Sequence, residues 1–188
     1  MKINNKKFIY LISPNIINKN FYQQLTLVLK TGKVNIFQMR LKKYSLKNKI
    51  LIGKKIKKIC KKNNVKFLVN DDPKLAKKLN ADGCHLGQGD MSIKDARKII
   101  GNKIIGVTCH NSIKMAKFAI KAKASYLAFG AFFPSKTKKT IYKASIQNLK
   151  IDITPSLNIF IKSLKMFVMA FPMLFMPNIS IGSKFLMS

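Results

Sequence analysis

Acidic side chains are scarce in this sequence, and half of them lie close behind two short apolar runs. Three of the six, Asp71, Asp72 and Asp90, follow the runs FLVN and GCHL, where two neighbouring β-strands would end. Mg²⁺ in proteins is held by one or two carboxylates together with waters or substrate phosphates. The sequence therefore predicts that Asp71 and Asp90 are Mg²⁺ ligands. Asp72, which stands directly before Pro73, is instead predicted to cap a helix.

Cationic and polar side chains follow other apolar runs. Cations beside a bound Mg²⁺ suit a diphosphate group. Gln38 and Asn70, each at the end of a run, can contact a ring nitrogen or an amino group, or can cap the backbone. The hydroxyls of Ser135 and Thr137 can hold a second phosphate, or can shape the turn after Pro134. The candidate diphosphate-binding cations are Arg40, Lys42, Lys138 and Lys139.

The two histidines of the chain, His85 and His110, fall near the ends of two different runs. A histidine in this position can act as an acid–base group. No cysteine is suitably spaced to complete a zinc ligand set with them. The sequence favours packed or hydrogen-bonded imidazoles over catalytic ones, so no nucleophile or general base is assigned.

Six short β-rich runs recur along the first 130 residues, with lysine-rich helical stretches between them. They are 8–13, 35–39, 67–70, 83–86, 104–108 and 126–130. This rhythm is typical of a parallel sheet whose crossover connections are helices. We therefore predict an α/β fold of the (β/α) TIM-type barrel kind, with an open doubly wound sheet as the alternative.

Capping signals mark where the intervening helices begin and end. Ser45 opens the first long lysine-rich stretch. Ser92 and Asp95 resemble a capping box, and Gly101 is placed to end the same helix.

A further helix is predicted to start at Asn111 or Ser112. The apolar residues expected on its inner face are Met115, Phe118 and Ala119.

The chain of 188 residues carries a net charge of +31, contains no Glu and has only two Arg. Lys, Ile and Asn share A- and T-rich codons and are spread along the whole chain, so genome composition explains the charge better than a nucleic-acid footprint does. No apolar run is long enough to span a membrane. The three cysteines show no C-x-x-C spacing and suit a reducing cytoplasm.

Residues 151–188 break the rhythm of the preceding units. They contain five of the nine Met and five of the thirteen Phe, and show neither strand alternation nor helical amphipathicity. We therefore divide the chain into barrel units one to six over residues 1–150 and an atypical Met/Phe-rich tail over 151–188, which is not a separate domain. The barrel is expected to be incomplete at its C-terminus.

Five motifs, in order, resemble those of bacterial thiamine-phosphate synthase, also called thiamine-phosphate pyrophosphorylase. They are FQMRLKK, FLVNDD, ADGCHLGQGD, IIGVTCH and YLAFGAFFPSKTKKT. The resemblance covers roughly residues 8–150 and implies a (β/α) barrel. It further implies a reaction in which 4-amino-2-methyl-5-hydroxymethylpyrimidine diphosphate and a thiazole phosphate give thiamine phosphate and pyrophosphate.

The resemblance also implies roles for individual residues. Asp71 and Asp90 correspond to the family's Mg²⁺ ligands. The pyrimidine-diphosphate contacts correspond to Gln38, Arg40, Lys42, Asn70, Thr108 and Lys138, and the thiazole-phosphate contacts to Ser135, Lys136 and Thr137.

The sequence departs from the family after residue 150. The glycine-rich loop that receives the thiazole phosphate in the family is not found there, and the only later glycine is Gly182. A shifted reading frame with premature termination, or a divergent C-terminus, would explain the change.

Two alternative functions therefore stay open, an inactive remnant of the synthase and a thiazole tautomerase-like relative. The expected partners are small-molecule substrates in the cytoplasm, with no specific nucleic acid and no membrane, and homo-oligomerisation is left open.

Overall fold

Strands and helices alternate strictly along residues 9–130, the part of the chain that the computed structural model describes. Each strand is followed by a helix, except the last strand of the described part. The elements are β1 (Ile9–Ile12), α1 (Phe21–Lys30), β2 (Val34–Met39), α2 (Leu46–Lys62), β3 (Lys66–Asn70), α3 (Pro73–Lys78), β4 (Gly83–Leu86), α4 (Ile93–Ile100), β5 (Ile104–His110), α5 (Ile113–Lys121) and β6 (Tyr126–Phe129).

The six strands form one parallel sheet in the order β1-β2-β3-β4-β5-β6. A doubly wound sheet would reverse its strand order at a switch point, so that alternative is wrong. Six strands in a flat sheet would place β1 and β6 roughly 24 Å apart. Here the hydroxyl oxygens of Tyr10 on β1 and Tyr126 on β6 lie 2.8 Å apart. The sheet is therefore rolled, and the predicted α/β barrel architecture is confirmed for the described units.

Alternation along each strand separates an outer apolar face from an inner face. On β2, Phe37 packs against Phe21 of α1 with ring centroids 6.4 Å apart. Met39 points to α2, because a Cβ built on Gly53 would come within 3.3 Å of its methyl group. Gln38, between them, faces the opposite side and is 1% exposed. The main hydrophobic core thus lies between sheet and helices, and polar side chains are left for the barrel interior.

Predicted caps begin four of the five described helices. The side chains of Ser45, Asp72, Ser92 and Ser112 each accept a hydrogen bond from the backbone N–H three residues later. The Asp95 carboxylate also accepts a hydrogen bond from the Ser92 hydroxyl at 2.7 Å. Gly101 ends α4 with a φ of +59°, a conformation that favours glycine.

The predicted inner face of α5 was wrong for two of its three residues. Phe118 is 70% exposed and Met115 is 37% exposed, whereas Ala119 is buried as expected and Ala116 is buried beside it. The cap at Ser112 fixes the phase of the helix, and two small alanines one turn apart allow it to lie close to the sheet. Residue size was a poor guide because close packing here requires small side chains.

The three cysteines are free and fully buried. Burial raises the pKa of the Cys60 and Cys84 thiols to about 12 and that of Cys109 to about 11, so all three are unreactive packing groups. Within residues 9–130, no helix is both long and apolar enough to cross a bilayer.

Arg97 ties together two loops at the N-terminal edge of the sheet. Its guanidinium donates to the carbonyl oxygens of Gly101 at 2.7 Å, Lys103 at 2.5 Å and Lys123 at 3.0 Å. It also donates to the Ser125 hydroxyl at 3.4 Å. One planar donor group thereby joins the end of α4 to the connections that enter β5 and β6.

We expect Arg97→Lys to lower the free energy of unfolding by about 1–3 kcal/mol, because an ammonium group cannot reach four divergent acceptors. Chemical denaturation monitored by circular dichroism would measure this loss. Arg40→Lys is the matched control, since the only side-chain hydrogen bond of Arg40 among the described residues is an exposed one to Asn15. Equal effects of the two substitutions would contradict the assigned role of Arg97.

Candidate active site

The segment that follows β3 places two carboxylates in different roles. Asn70 ends the strand, and Asp71 adopts a φ of +65°, a left-handed conformation that Asp tolerates better than most residues. The Asp71 N–H donates to the His85 carbonyl oxygen on β4 at 2.8 Å. Asp72 caps α3 by accepting from Leu75 N–H at 2.9 Å, as predicted. The backbone turn therefore leaves Asp71 at the mouth of the rolled sheet and uses Asp72 for the fold.

Asp90 reaches the same place from the loop after β4. Its Oδ2 accepts a hydrogen bond from Gly87 N–H at 2.6 Å, which folds the GQGD loop back on itself. Burial raises the pKa of Asp90, and the neighbouring Asp71 carboxylate raises it further by hydrogen bonding and charge repulsion. Gly87 N–H and Lys42 act in the opposite direction. The structure thus brings the two predicted metal ligands together.

Two cations from the β2–α2 connection border this carboxylate pair. Lys42 Nζ lies 3.3 Å from Asp71 Oδ2, with 57% and 31% of the two side chains exposed, so the contact contributes little to stability. The Arg40 guanidinium donates to Asn15 Oδ1 at 3.1 Å, and its backbone N–H donates to Ser13 Oγ at 2.8 Å. Ser13 and Asn15 were missed from the sequence, although they directly follow β1.

A small cavity of about 70 Å³ opens beside Asp71. It has an apolar floor and a polar wall, and Lys49 of α2 is a lining residue that the sequence did not suggest. The polar wall consists of Lys42, Lys49, Asn70, Asp71 and Asp72. Such a volume admits an ion with one or two waters.

Below the carboxylates, a chain of hydrogen-bonded side chains crosses the barrel interior, with one member from each of the six strands. Its links are Gln38 Nε2 to Asn70 Oδ1, Tyr10 hydroxyl to Gln38 Oε1 at 2.8 Å, Tyr10 to Tyr126 hydroxyl at 2.8 Å, Tyr126 hydroxyl to His85 Nδ1 at 2.8 Å and His85 Nε2 to Thr108 Oγ1 at 2.9 Å. Burial raises the pKa of both tyrosines well above its ordinary value, so both carry their proton at neutral pH.

This polar chain joins three of the predicted pyrimidine-diphosphate contacts, Gln38, Asn70 and Thr108. His85 is 3% exposed and hydrogen-bonded at both ring nitrogens, in agreement with a packed histidine. Sequence reasoning missed Tyr10 and Tyr126. The signal was present, because each is a hydrogen-bonding residue at an inward position of an otherwise apolar strand.

The remaining predicted contacts, Ser135, Lys136, Thr137 and Lys138, lie outside the described residues, as does the tail 151–188. Among residues 9–130, no cluster of three or more His, Cys, Asp or Glu side chains is arranged to hold a metal ion. A metal here would need substrate oxygens or water to complete the shell of the Asp71–Asp90 pair.

Comparisons with known proteins identify a family for this chain. The model of the thiamine monophosphate synthase family matches residues 9–155. A thiamine-phosphate synthase from Pelagibacter ubique is 66% identical over 147 residues, covering 78% of this chain and 71% of the relative. One from Erythrobacter litoralis is 45% identical over 133 residues, covering 69% and 62% respectively.

A solved structure leads to the same family. A thiamine phosphate pyrophosphorylase from Pyrococcus furiosus superposes with a TM-score of 0.62 at 31% identity, covering 68% of this chain and 61% of that one. The chain thus spans between 61% and 71% of the length of these three relatives. The resemblance based on the five motifs is confirmed, and the names of the relatives favour the synthase over the alternatives.

We expect Asp90→Asn to raise the melting temperature by about 2 °C at pH 7.5 in EDTA. A raised folded-state pKa means that the ionised carboxylate destabilises the fold at neutral pH, an effect lost as the pH falls through that raised value. Differential scanning calorimetry would measure the change.

Asp95→Asn is the control for this substitution. Lys98 and Ser92 lower the pKa of Asp95, so the control should not raise the melting temperature. A melting temperature lower in Asp90→Asn than in the control would contradict the repulsion between Asp71 and Asp90.

Proposed function

The chain belongs to the thiamine monophosphate synthase family, whose members are transferases of thiamine biosynthesis, and we propose that it condenses a pyrimidine diphosphate with a thiazole phosphate. The products are thiamine phosphate and pyrophosphate. The observation that carries this proposal is the Asp71–Asp90 carboxylate pair, which lies at the C-terminal edge of a parallel barrel next to Lys42. Active sites of such barrels lie at this edge.

Both carboxylates fit a resident Mg²⁺. They are hard oxygen donors from adjacent strand ends, and their mutual repulsion would be relieved by a divalent cation. When bound there, Mg²⁺ supplies positive charge that stabilises the departing pyrophosphate. Lys42 and Arg40 add positive charge beside it, and Lys138 is proposed to do the same from outside the described residues.

The proposed reaction needs no protein nucleophile. Loss of pyrophosphate leaves cationic character at the methylene carbon of the electron-rich aminopyrimidine, and the thiazole nitrogen attacks this carbon. Gln38 and Asn70 are proposed to orient the pyrimidine ring, and Thr108 to contact the pyrimidine diphosphate. Ser135, Lys136 and Thr137 are proposed to hold the thiazole phosphate. The protein contributes positioning, charge stabilisation and exclusion of water.

Several further expectations stay proposals. They are a cytoplasmic location, partners limited to small molecules without specific nucleic-acid binding, homo-oligomerisation, and the division of the chain at residue 150. The incomplete barrel end and the inactive-remnant alternative likewise concern residues outside the described part.

We expect the purified chain to form thiamine phosphate from the two substrates only with Mg²⁺, and Asp71→Asn to reduce turnover at least about 100-fold. Conversion of the product to fluorescent thiochrome measures the rate. Asp95→Asn, an exposed acid on α4, is the matched control and should retain full turnover. Wild-type turnover unaffected by EDTA would refute the metal role, and no product with Mg²⁺ present would refute the proposed activity.

We expect Arg40→Ala to weaken binding of the pyrimidine diphosphate about 10-fold or more, but to leave the free pyrimidine alcohol almost unaffected. The guanidinium is proposed to contact only the diphosphate. Isothermal titration with each ligand measures both affinities, and Lys61→Ala on the solvated face of α2 is the control. Equal losses for the two ligands would remove Arg40 from the diphosphate site.

A further inference from the structure

Two cations of the β2–α2 connection are held towards opposite neighbours of β2. Lys42 Nζ lies 3.3 Å from Asp71 Oδ2, on the side of β3. The Arg40 guanidinium instead donates through Nη1 to Asn15 Oδ1 at 3.1 Å, on the side of β1. Since β1 and β3 flank β2 in the sheet, the two positive charges are spread across the mouth of the barrel rather than gathered at the carboxylate pair.

Asn15 follows a segment whose backbone is fixed by the end of β2. Ser13 N–H donates to the Gln38 carbonyl oxygen at 2.9 Å, and the buried Ser13 hydroxyl oxygen accepts from Arg40 N–H at 2.8 Å. Pro14 has no N–H with which to continue the ladder, so the chain leaves the sheet at this point. Asn15 is therefore the first residue of the β1–α1 connection whose side chain can reach over the end of β2.

The far side of Asn15 is anchored to the β2–α2 connection. Ile17 N–H donates to the Tyr44 hydroxyl at 2.9 Å, and Tyr44 N–H donates to the Leu41 carbonyl oxygen at 3.4 Å. The backbone is thus held two residues before and two residues after Asn15. A hydrogen bond made from such an anchored backbone orders fewer dihedral angles than one made from a free loop, so it costs less conformational entropy.

The partner of the Arg40 guanidinium is an amide, which orients a cation without neutralising it. Lys42 is paired with a carboxylate, whereas Arg40 makes no ion pair within residues 9–130 and keeps its full charge. Its bond through Nη1 also leaves the parallel N–H groups of Nε and Nη2 without a partner among those residues. That edge is the fork with which arginine binds a phosphate group in a bidentate manner.

We propose that Asn15 is a positioning residue that holds the Arg40 guanidinium ready for the diphosphate of the pyrimidine substrate, with the Nε–Nη2 edge open. This inference rests on the proposed function. A long arginine side chain loses conformational freedom when it binds a ligand, and a side chain that is held beforehand loses less. Asn15 thereby raises the affinity for the diphosphate without contacting it, and it has no effect on binding of the pyrimidine ring.

The first test observes the Arg40 side chain directly, without substrate. The chain has only two arginines, so protein labelled with ¹⁵N-arginine gives two Nε signals, and Arg40→Lys assigns them. We expect the Nε order parameter of Arg40 to stay above about 0.6 in wild type and to fall below it in Asn15→Ala. Arg97, held by four hydrogen bonds, is the internal reference for a rigid side chain. No difference at Arg40 between wild type and variant would overturn the positioning role.

The second test is a double-mutant cycle, read by isothermal titration in the presence of Mg²⁺. Asn15→Ala should weaken binding of the pyrimidine diphosphate about 5-fold and leave the free pyrimidine alcohol almost unaffected. In an Arg40→Ala background the same substitution should change neither affinity, because no guanidinium is left to hold. Asn18→Ala is the matched control, since Asn18 is an exposed residue of the same connection whose side chain makes no hydrogen bond within residues 9–130.

A charge variant separates orientation from charge. In Asn15→Asp the side chain can still accept a hydrogen bond from Arg40, but its carboxylate offsets the charge of the guanidinium and repels the diphosphate. We expect this variant to bind the diphosphate about 10-fold or more weakly than wild type, with a smaller loss at high salt. Binding as tight as in wild type would contradict the role of a neutral partner.

The outcomes separate this inference from the proposed function. An effect of Asn15→Ala that is absent, equal for the diphosphate and the alcohol, or retained in the Arg40→Ala background would overturn the positioning role and leave the synthase proposal intact. If wild type bound the diphosphate no better than the alcohol, the proposed diphosphate site itself would fall. Circular dichroism checks that each variant is folded.

Discussion

The fold depends on forming hydrogen bonds between the polar side chains that its strands place inside the barrel. Six strands each place one hydrogen-bonding side chain inward, and an unpaired polar group in that interior would carry a large desolvation penalty. In a flat sheet Tyr10 and Tyr126 could not meet, whereas in the rolled sheet their hydroxyls are 2.8 Å apart. No buried side-chain polar atom in residues 9–130 lacks a hydrogen-bond partner. The curvature of the sheet is therefore required for the polar side chains of the site to form their hydrogen bonds.

The acidic residues show how a very basic chain divides its few carboxylates between fold and site. Asp72 and Asp95 hold helix starts, and Asp82 accepts the Phe67 N–H at 2.9 Å across the entry to β3. Asp71 and Asp90 are left as the pair at the mouth, where burial and the neighbouring Asp71 carboxylate raise the pKa of Asp90. A fold selected for stability alone would separate them, so their proximity is an argument for a ligand that carries positive charge.

Sequence reasoning located the strands to within one or two residues and found four helix caps, because caps, prolines and β-rich runs are local signals. It also assembled the candidate site, since strand ends in a parallel barrel share one edge. It misjudged Met115 and Phe118 on α5, where helix phase and close packing decided the inner face. Tyr10 and Tyr126 were missed because their partners are remote in sequence, and only the roll of the sheet brings them together.

The spacing of residues at the end of β2 places one candidate site residue in the barrel interior and another at its mouth. Gln38 and Arg40 lie two residues apart, hence on the same side of an extended segment and roughly 6.6 Å apart along it. Gln38 is buried in the polar chain, and Arg40 stands above it at the half-exposed mouth. In the proposed function, the pyrimidine ring lies in the interior against the hydrogen-bonded side chains. Its diphosphate would lie at the mouth, among charges that stabilise a leaving group. The proposed division of these strand ends between ring binding and diphosphate binding suits the proposed reaction, which uses no protein nucleophile.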